Sequence, residues 1–215
     1  MVLKFQDKLS TGRFLRLFIM FWFINVHGGM AQPELVKDIN PAGSGFRGNE
    51  IVVFKGVMYF LANDGSTGFE LWQSDGTANG TVLLKDINPG AAHANPQELT
   101  VAGDYLFFIA TNATEGTELW RTDGTPEGTQ IVADLIEGNN TSRPDQLTAA
   151  NEKLFFVYPD PDSGRELFVV SGTGSPQRIS DFRRFGGSNI DDITALGDKV
   201  YFRTDSDSDD DGFEL

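Results

Sequence analysis

ELWQSDGTANGT, residues 70–81, returns as ELWRTDGTPEGT at 118–129, and the fold follows from that repetition. Glu70, Glu118, Glu166 and Glu214 recur every forty-eight positions, each followed by leucine. Trp72, Trp120 and Phe168 come next, then Asp75-Gly76-Thr77, Asp123-Gly124-Thr125 and Ser171-Gly172-Thr173. LVKDI (35–39), LLKDI (83–87), IVADL (131–135) and RISDF (178–182) keep nearly the same step. A fixed period in this range marks a repeat architecture, so each copy is one supersecondary unit.

Each unit divides into four strands. The first is short and apolar, as at 51–54 and 97–101, and a two-residue turn such as Lys55-Gly56 leads into the second. The second carries two aromatic columns side by side: Tyr59, Phe107, Phe155 and Tyr201, then Phe60, Phe108, Phe156 and Phe202. Neighbouring side chains in a strand point to opposite faces, so both faces must be covered. ELWQS and ELWRT form the third strand, and an Asp-Gly turn leads to the fourth, TVLLKDI or TQIVADL. Asn88-Pro89-Gly90 then breaks the pairing.

The expected fold is therefore all-β, a β-propeller-like array of four-stranded antiparallel blades with a period of about 48 residues. The units are expected at roughly 35–82, 83–130, 131–177 and 178–215, the last partial. An open linear β-array with the same hairpins is the alternative. In either, a unit cannot bury its own apolar face and depends on its neighbours. Leu35 to Ile39 reads as a fourth strand without its first three, and Leu215 falls midway through a third strand, which predicts an incomplete ring.

The remaining composition narrows the classes. The 215 residues contain 18 Phe, 24 Gly, 9 Pro and no Cys, which excludes disulfides, thiolate metal sites and a cysteine nucleophile. Residues 1–31 join Lys4, Lys8, Arg13 and Arg16 to an apolar run at 17–26 and to Gly29-Met30-Ala31, the pattern of a secretory signal. That apolar run is short against the roughly 20 residues of a membrane span, so no membrane insertion is expected once the signal is cleaved. Loss of that segment takes the formal charge from −14 to −17. Such acidity disfavours nucleic acid and anionic headgroups as partners, and leaves divalent cations, basic proteins and neutral glycans.

ELWQSDGT (70–77), ELWRTDGT (118–125) and LLKDINPG (83–90) resemble the bacterial ELWxxDGT repeat family over about residues 35–215. The eight-position motif is intact in two copies, altered in the third (ELFVVSGT, 166–173) and reduced to FEL (213–215) in the fourth. The resemblance implies an exported, propeller-like protein and a scaffold at the cell surface or outside the cell. That family brings no established catalytic residues with it.

Each candidate site residue also has a structural role open to it. The Glu70, Glu118 and Glu166 column could hold a cation at a channel mouth, but a charge repeated in every unit is expected to make the same backbone hydrogen bond each time. Trp72, Trp120 and Phe168 could stack on sugars, but are expected in the core between units. Asp75-Gly76 and Asp123-Gly124 are read as turn residues, and Asp86 and Asp134 as loop caps. A catalytic carboxylate is needed once, in surroundings unlike its copies, so repetition argues against chemistry.

One segment departs from repetition. DSDSDDDG (205–212) places Asp205, Asp207, Asp209 and Asp211 in alternation before a glycine, the opening of a calcium loop. Ca2+ is thus the one cofactor suggested, against the alternative of a solvated acidic hairpin tip. His93 is the single histidine after residue 31, which excludes a site built from several histidines there. The expected function is a non-enzymatic, secreted scaffold that binds a surface protein or glycan. A calcium-stabilised module and a fragment of a propeller-type carbohydrate-active enzyme are the rivals.

Overall fold

The computed structural model describes residues 20–21, 34–43, 45–136, 138, 143–160, 164–179, 188–205 and 213–214. These residues form seventeen strands and no helix. β1 (Met20–Phe21) pairs with β2 (Glu34–Leu35). The first sheet is β3 (Phe46–Phe54), β4 (Val57–Ala62), β5 (Glu70–Ser74) and β6 (Val82–Lys85), in chain order and antiparallel throughout. The second repeats it with β7 (Gln97–Ala102), β8 (Tyr105–Asn112), β9 (Gly116–Thr122) and β10 (Gln130–Ala133). The third has β11 (Asp145–Ala150), β12 (Lys153–Asp160), β13 (Gly164–Val170) and β14 (Gln177–Arg178). β15 (Ser188–Leu196), β16 (Lys199–Asp205) and β17 (Phe213–Glu214) form the fourth. Parallel pairing of Gly164 with Ser188 and Arg165 with Asn189 joins it to the third.

The register is copied from sheet to sheet. Phe60 faces Trp72, Phe108 faces Trp120 and Phe156 faces Phe168, while Ala62, Ala110 and Tyr158 face Glu70, Glu118 and Glu166. Lys55 and Gly56 both take positive φ, at 50° and 79°, giving the tight hairpin twist that matches paired strands.

Two sequence expectations are corrected. The first strand of the first sheet runs Phe46–Phe54 rather than 51–54, because a register shift between Phe46 and Ile51 lets pairing continue. Of the segment 35–39, only Leu35 lies in a strand, and its partner is β1 rather than a closing sheet.

The two aromatic columns of the second strands divide between the gaps. Tyr59 and Leu71 of the first sheet cluster with Phe108 and Trp120 of the second. Phe107 and Leu119 of the second cluster with Phe156 and Phe168 of the third, and Val157 and Leu167 meet Ile190 of the fourth. The first sheet's other face, Phe60 and Trp72, is covered by Ile39. Tyr59, Phe107 and Phe108 are at most 2% exposed, whereas Tyr201, in the Tyr59 column of the last sheet, is 39% exposed. Burying a large side chain contributes roughly 1.5–3 kcal/mol, so each gap is a principal source of stability.

Polar bonds tie the same gaps. Lys37 Nζ donates to Thr81 O at 2.7 Å and Lys85 Nζ to Thr129 O at 2.5 Å. On the first strands, Leu99 N donates to Glu50, Leu147 N to Glu98 and Ile193 N to Gln146, at 3.0, 2.8 and 2.9 Å.

Candidate functional site

The motif residues are used internally. The Glu70 side chain is fully buried and accepts from Ile87 N at 3.0 Å, Ala94 N at 3.2 Å and Asn88 N at 3.4 Å. It thereby holds the connection that crosses from the first sheet to the second. Burial pushes its carboxyl up to about 7, against the pull of the three N–H donors and with a further push from Asp86. Glu118 and Glu166 are equally buried, so none of the three faces an open channel mouth. Trp72, Trp120 and Phe168 are at most 9% exposed, which leaves no ring face for a sugar.

The DGT segments build one turn twice. Asp75 Oδ1 accepts from Thr77 N and Thr77 Oγ1, both at 2.8 Å; Thr77 Oγ1 accepts from Gly80 N at 2.9 Å, and Thr81 Oγ1 donates to Thr77 O at 2.7 Å. Asp123, Thr125, Gly128 and Thr129 make the same four bonds at 2.6 to 2.9 Å. The Thr77 and Thr125 hydroxyls and amides hold the two aspartates below their usual range. Gly76 and Gly124 have φ of 90° and 102°, which a side chain resists. Asp86 Oδ2 accepts from Gly90 N and Asp134 Oδ2 from Gly138 N, at 3.3 and 3.1 Å.

Of the calcium candidates, Asp205 ends β16, with Asp205 paired to Phe213 across the hairpin. Asp207, Asp209 and Asp211 lie outside the described residues. Among the described residues, no three His, Asp or Glu groups are gathered as metal ligands.

Where the repeat breaks, a cavity opens. Thr117, immediately before Glu118, corresponds to Phe69 in the first unit and Arg165 in the third. Phe69 meets His93 with tilted rings, their centroids 5.3 Å apart, and its N–H donates to His93 Nδ1 at 3.0 Å. Arg165 grips Asp145 with two nitrogens at 3.0 and 2.8 Å, approaches Asp191 at 3.4 Å and donates to Ile190 O at 3.2 Å. Between these two, Thr117 is short and bonds Thr111 through their hydroxyls at 2.7 Å. A polar cavity of about 420 Å³ remains, with Glu98, Thr111, Thr117, Arg143 and Asp145 in its wall.

Glu98 is the residue that motif reading missed. Its φ of 54° is left-handed, as are those of Gln146 (58°) and Asp192 (55°) at the same place in the next two sheets. Each sits at a register shift in the first strand, where the backbone turns aside and the side chain can reach the next sheet. Burial raises the Glu98 carboxyl, opposed by the Leu147 N–H and reinforced by Asp145 and Glu50. The hydrogen bonds that Arg165 donates to Asp145 raise its guanidinium. The signal that would have found the site is the irregular column of Phe69, Thr117 and Arg165 beside the regular column of Glu70, Glu118 and Glu166.

No family model matches the chain, and no curated protein matches it. Among solved structures, it is similar to one reported as "Structural and Mechanistic Analysis of Two Prolyl Endopeptidases: Role of Inter-Domain Dynamics in Catalysis and Specificity". The TM-score is 0.43 at 14% identity, over 74% of this chain and 24% of that one.

Proposed function

We propose that the protein is an exported, non-enzymatic scaffold that binds at the cell surface, built as a propeller-like array. The observation that supports this is the contrast between the motif side chains and the cavity beside Thr117. The motif side chains close turns, cap loops and fill gaps. Beside Thr117 lies an open polar cavity in which Asp145 is committed to Arg165 and Glu98 to the Leu147 N–H. Carboxylates engaged in this way suit holding a ligand better than exchanging protons with one.

The test pairs a binding measurement with an assay for turnover. Fluorescently labelled protein is incubated with intact bacterial cells and with immobilised polysaccharides, and the same protein is offered chromogenic glycosides. Saturable retention without product release is expected. Glycoside cleavage that disappears in Glu98→Gln would replace the scaffold with an enzyme.

A further inference from the structure

The gaps between successive sheets are built from the same columns, so the chemistry of the odd gap can be read against its neighbours. In the first gap Phe69 lies against His93, and in the last Arg165 bridges two aspartates. Only a threonine occupies the corresponding position in the middle gap, and about 420 Å³ is left, within the roughly 300–1,000 Å³ typical of small-molecule sites. We infer that this cavity binds a neutral saccharide of one or two pyranose units, an assignment that rests on the binding-scaffold reading above.

Charge and hydrogen-bonding capacity select that class. Asp145 is offset by Arg165, and Glu98 is matched in the same cavity by Arg143, so the lining favours neither an anion nor a cation. The strongly acidic chain disfavours an anion further at long range. What else the cavity offers is groups that donate and accept together: the carboxamides of Asn95 and Gln97, beside the mutually bonded hydroxyls of Thr111 and Thr117. A sugar presents the same duality at successive carbons, and adjacent hydroxyls match the two-atom reach of a carboxamide or carboxylate. Ile109 and Pro144 supply the apolar wall that the C–H face of a pyranose requires.

The test titrates the 15N-labelled protein with methyl α-D-glucopyranoside, methyl β-D-galactopyranoside and methyl β-D-xylopyranoside, with sodium glucuronate and glycine as charged probes. Saturable shifts at the Ile109, Thr111 and Thr117 amides are expected with at least one neutral glycoside. Thr117→Phe, which puts in the middle gap the ring that Phe69 puts in the first, is expected to weaken binding at least about tenfold. Gln97→Leu changes an exposed side chain and should weaken binding several-fold at unchanged Tm; it decides the matter if Thr117→Phe does not fold. The assignment is overturned if no neutral glycoside binds, if glucuronate or glycine binds more tightly than all three, or if Gln97→Leu binds as the parent does. Equal retention of parent and Gln97→Leu on intact cells would also remove the cavity from the function while leaving the scaffold; no retention of the parent would remove the scaffold itself.

Discussion

Lys85 of the first sheet donates its ammonium to the Thr129 carbonyl of the second, and Lys37 makes the same bond to Thr81 one unit earlier. The acceptor in each case is the last residue of the DGTxxGT turn, so the lysine that precedes each of these two sheets reads that sheet's turn. In IVADL the position is Ala133.

Lys85→Met keeps the apolar stem and removes the ammonium. It should cost about 1–2 kcal/mol, since the bond is charge-assisted and partly buried. Urea denaturation would show it as a lower midpoint with an unchanged slope; a midpoint equal to the parent's would mean that the lysine contributes nothing across the gap.

Gly80→Ala and Gly128→Ala test the turn. A Cβ on Gly80 would sit 2.0 Å from Asp75 Oδ1, and one on Gly128 2.1 Å from Asp123 Oδ1. Neither carboxylate can retreat without giving up its threonine bonds. Each substitution should destabilise by about 2–3 kcal/mol, and combining Gly80→Ala with Asp75→Ala should cost less than the sum of the two alone. Additive losses in a double-mutant cycle would contradict the collision.

Glu70 makes stability depend on pH. Its folded-state carboxyl is raised to about 7 from an ordinary 4.5, so between those values the folded protein holds more protons than the unfolded chain. Stability is then greatest below about pH 4.5 on this account and falls as pH rises through 7, by roughly 2–4 kcal/mol in all. Unfolding free energies measured from pH 4.5 to 8 should show that decline, and Glu70→Gln should flatten it. A decline of the same steepness in Glu70→Gln would assign the proton elsewhere.

The gaps also predict a contrast between two aromatic residues. Trp120 is 7% exposed in the cluster between the first two sheets, and Tyr201 is 39% exposed on the last. Trp120→Ala should cost about 3–5 kcal/mol and Tyr201→Ala no more than about 0.5 kcal/mol. Comparable losses, read from thermal or urea midpoints, would mean that Tyr201 is covered in solution.

The repeat, the four-strand unit and the roles of the two aromatic columns were legible because each is a pattern along the chain. Alternation places Tyr59 and Phe60 on opposite faces whatever the surroundings. The Asp-Gly turns were legible for the same reason, since Gly76 and Gly124 answer a local backbone demand. Lys85, Gly80 and Glu98 were not, although all three stand in or beside quoted motifs. Lys85 and Glu98 bond to atoms more than forty residues away, across gaps whose width no local pattern encodes. Gly80 bonds the Thr77 hydroxyl, and the Asp75 carboxylate curls back over the turn into the space that a Cβ would need. The cavity was hidden for another reason: it arises from what Thr117 lacks, and an absence has meaning only once Phe69 and Arg165 are seen in the neighbouring gaps.

The lysine-to-turn tie has a consequence for how such a chain can change in length. Donor and acceptor sit at fixed places in every intact copy, so a duplicated copy would arrive with both halves of the joint already made. Copy number can therefore rise or fall by recombination without redesign at the seams, and novelty is left to columns that vary between copies, such as Phe69, Thr117 and Arg165.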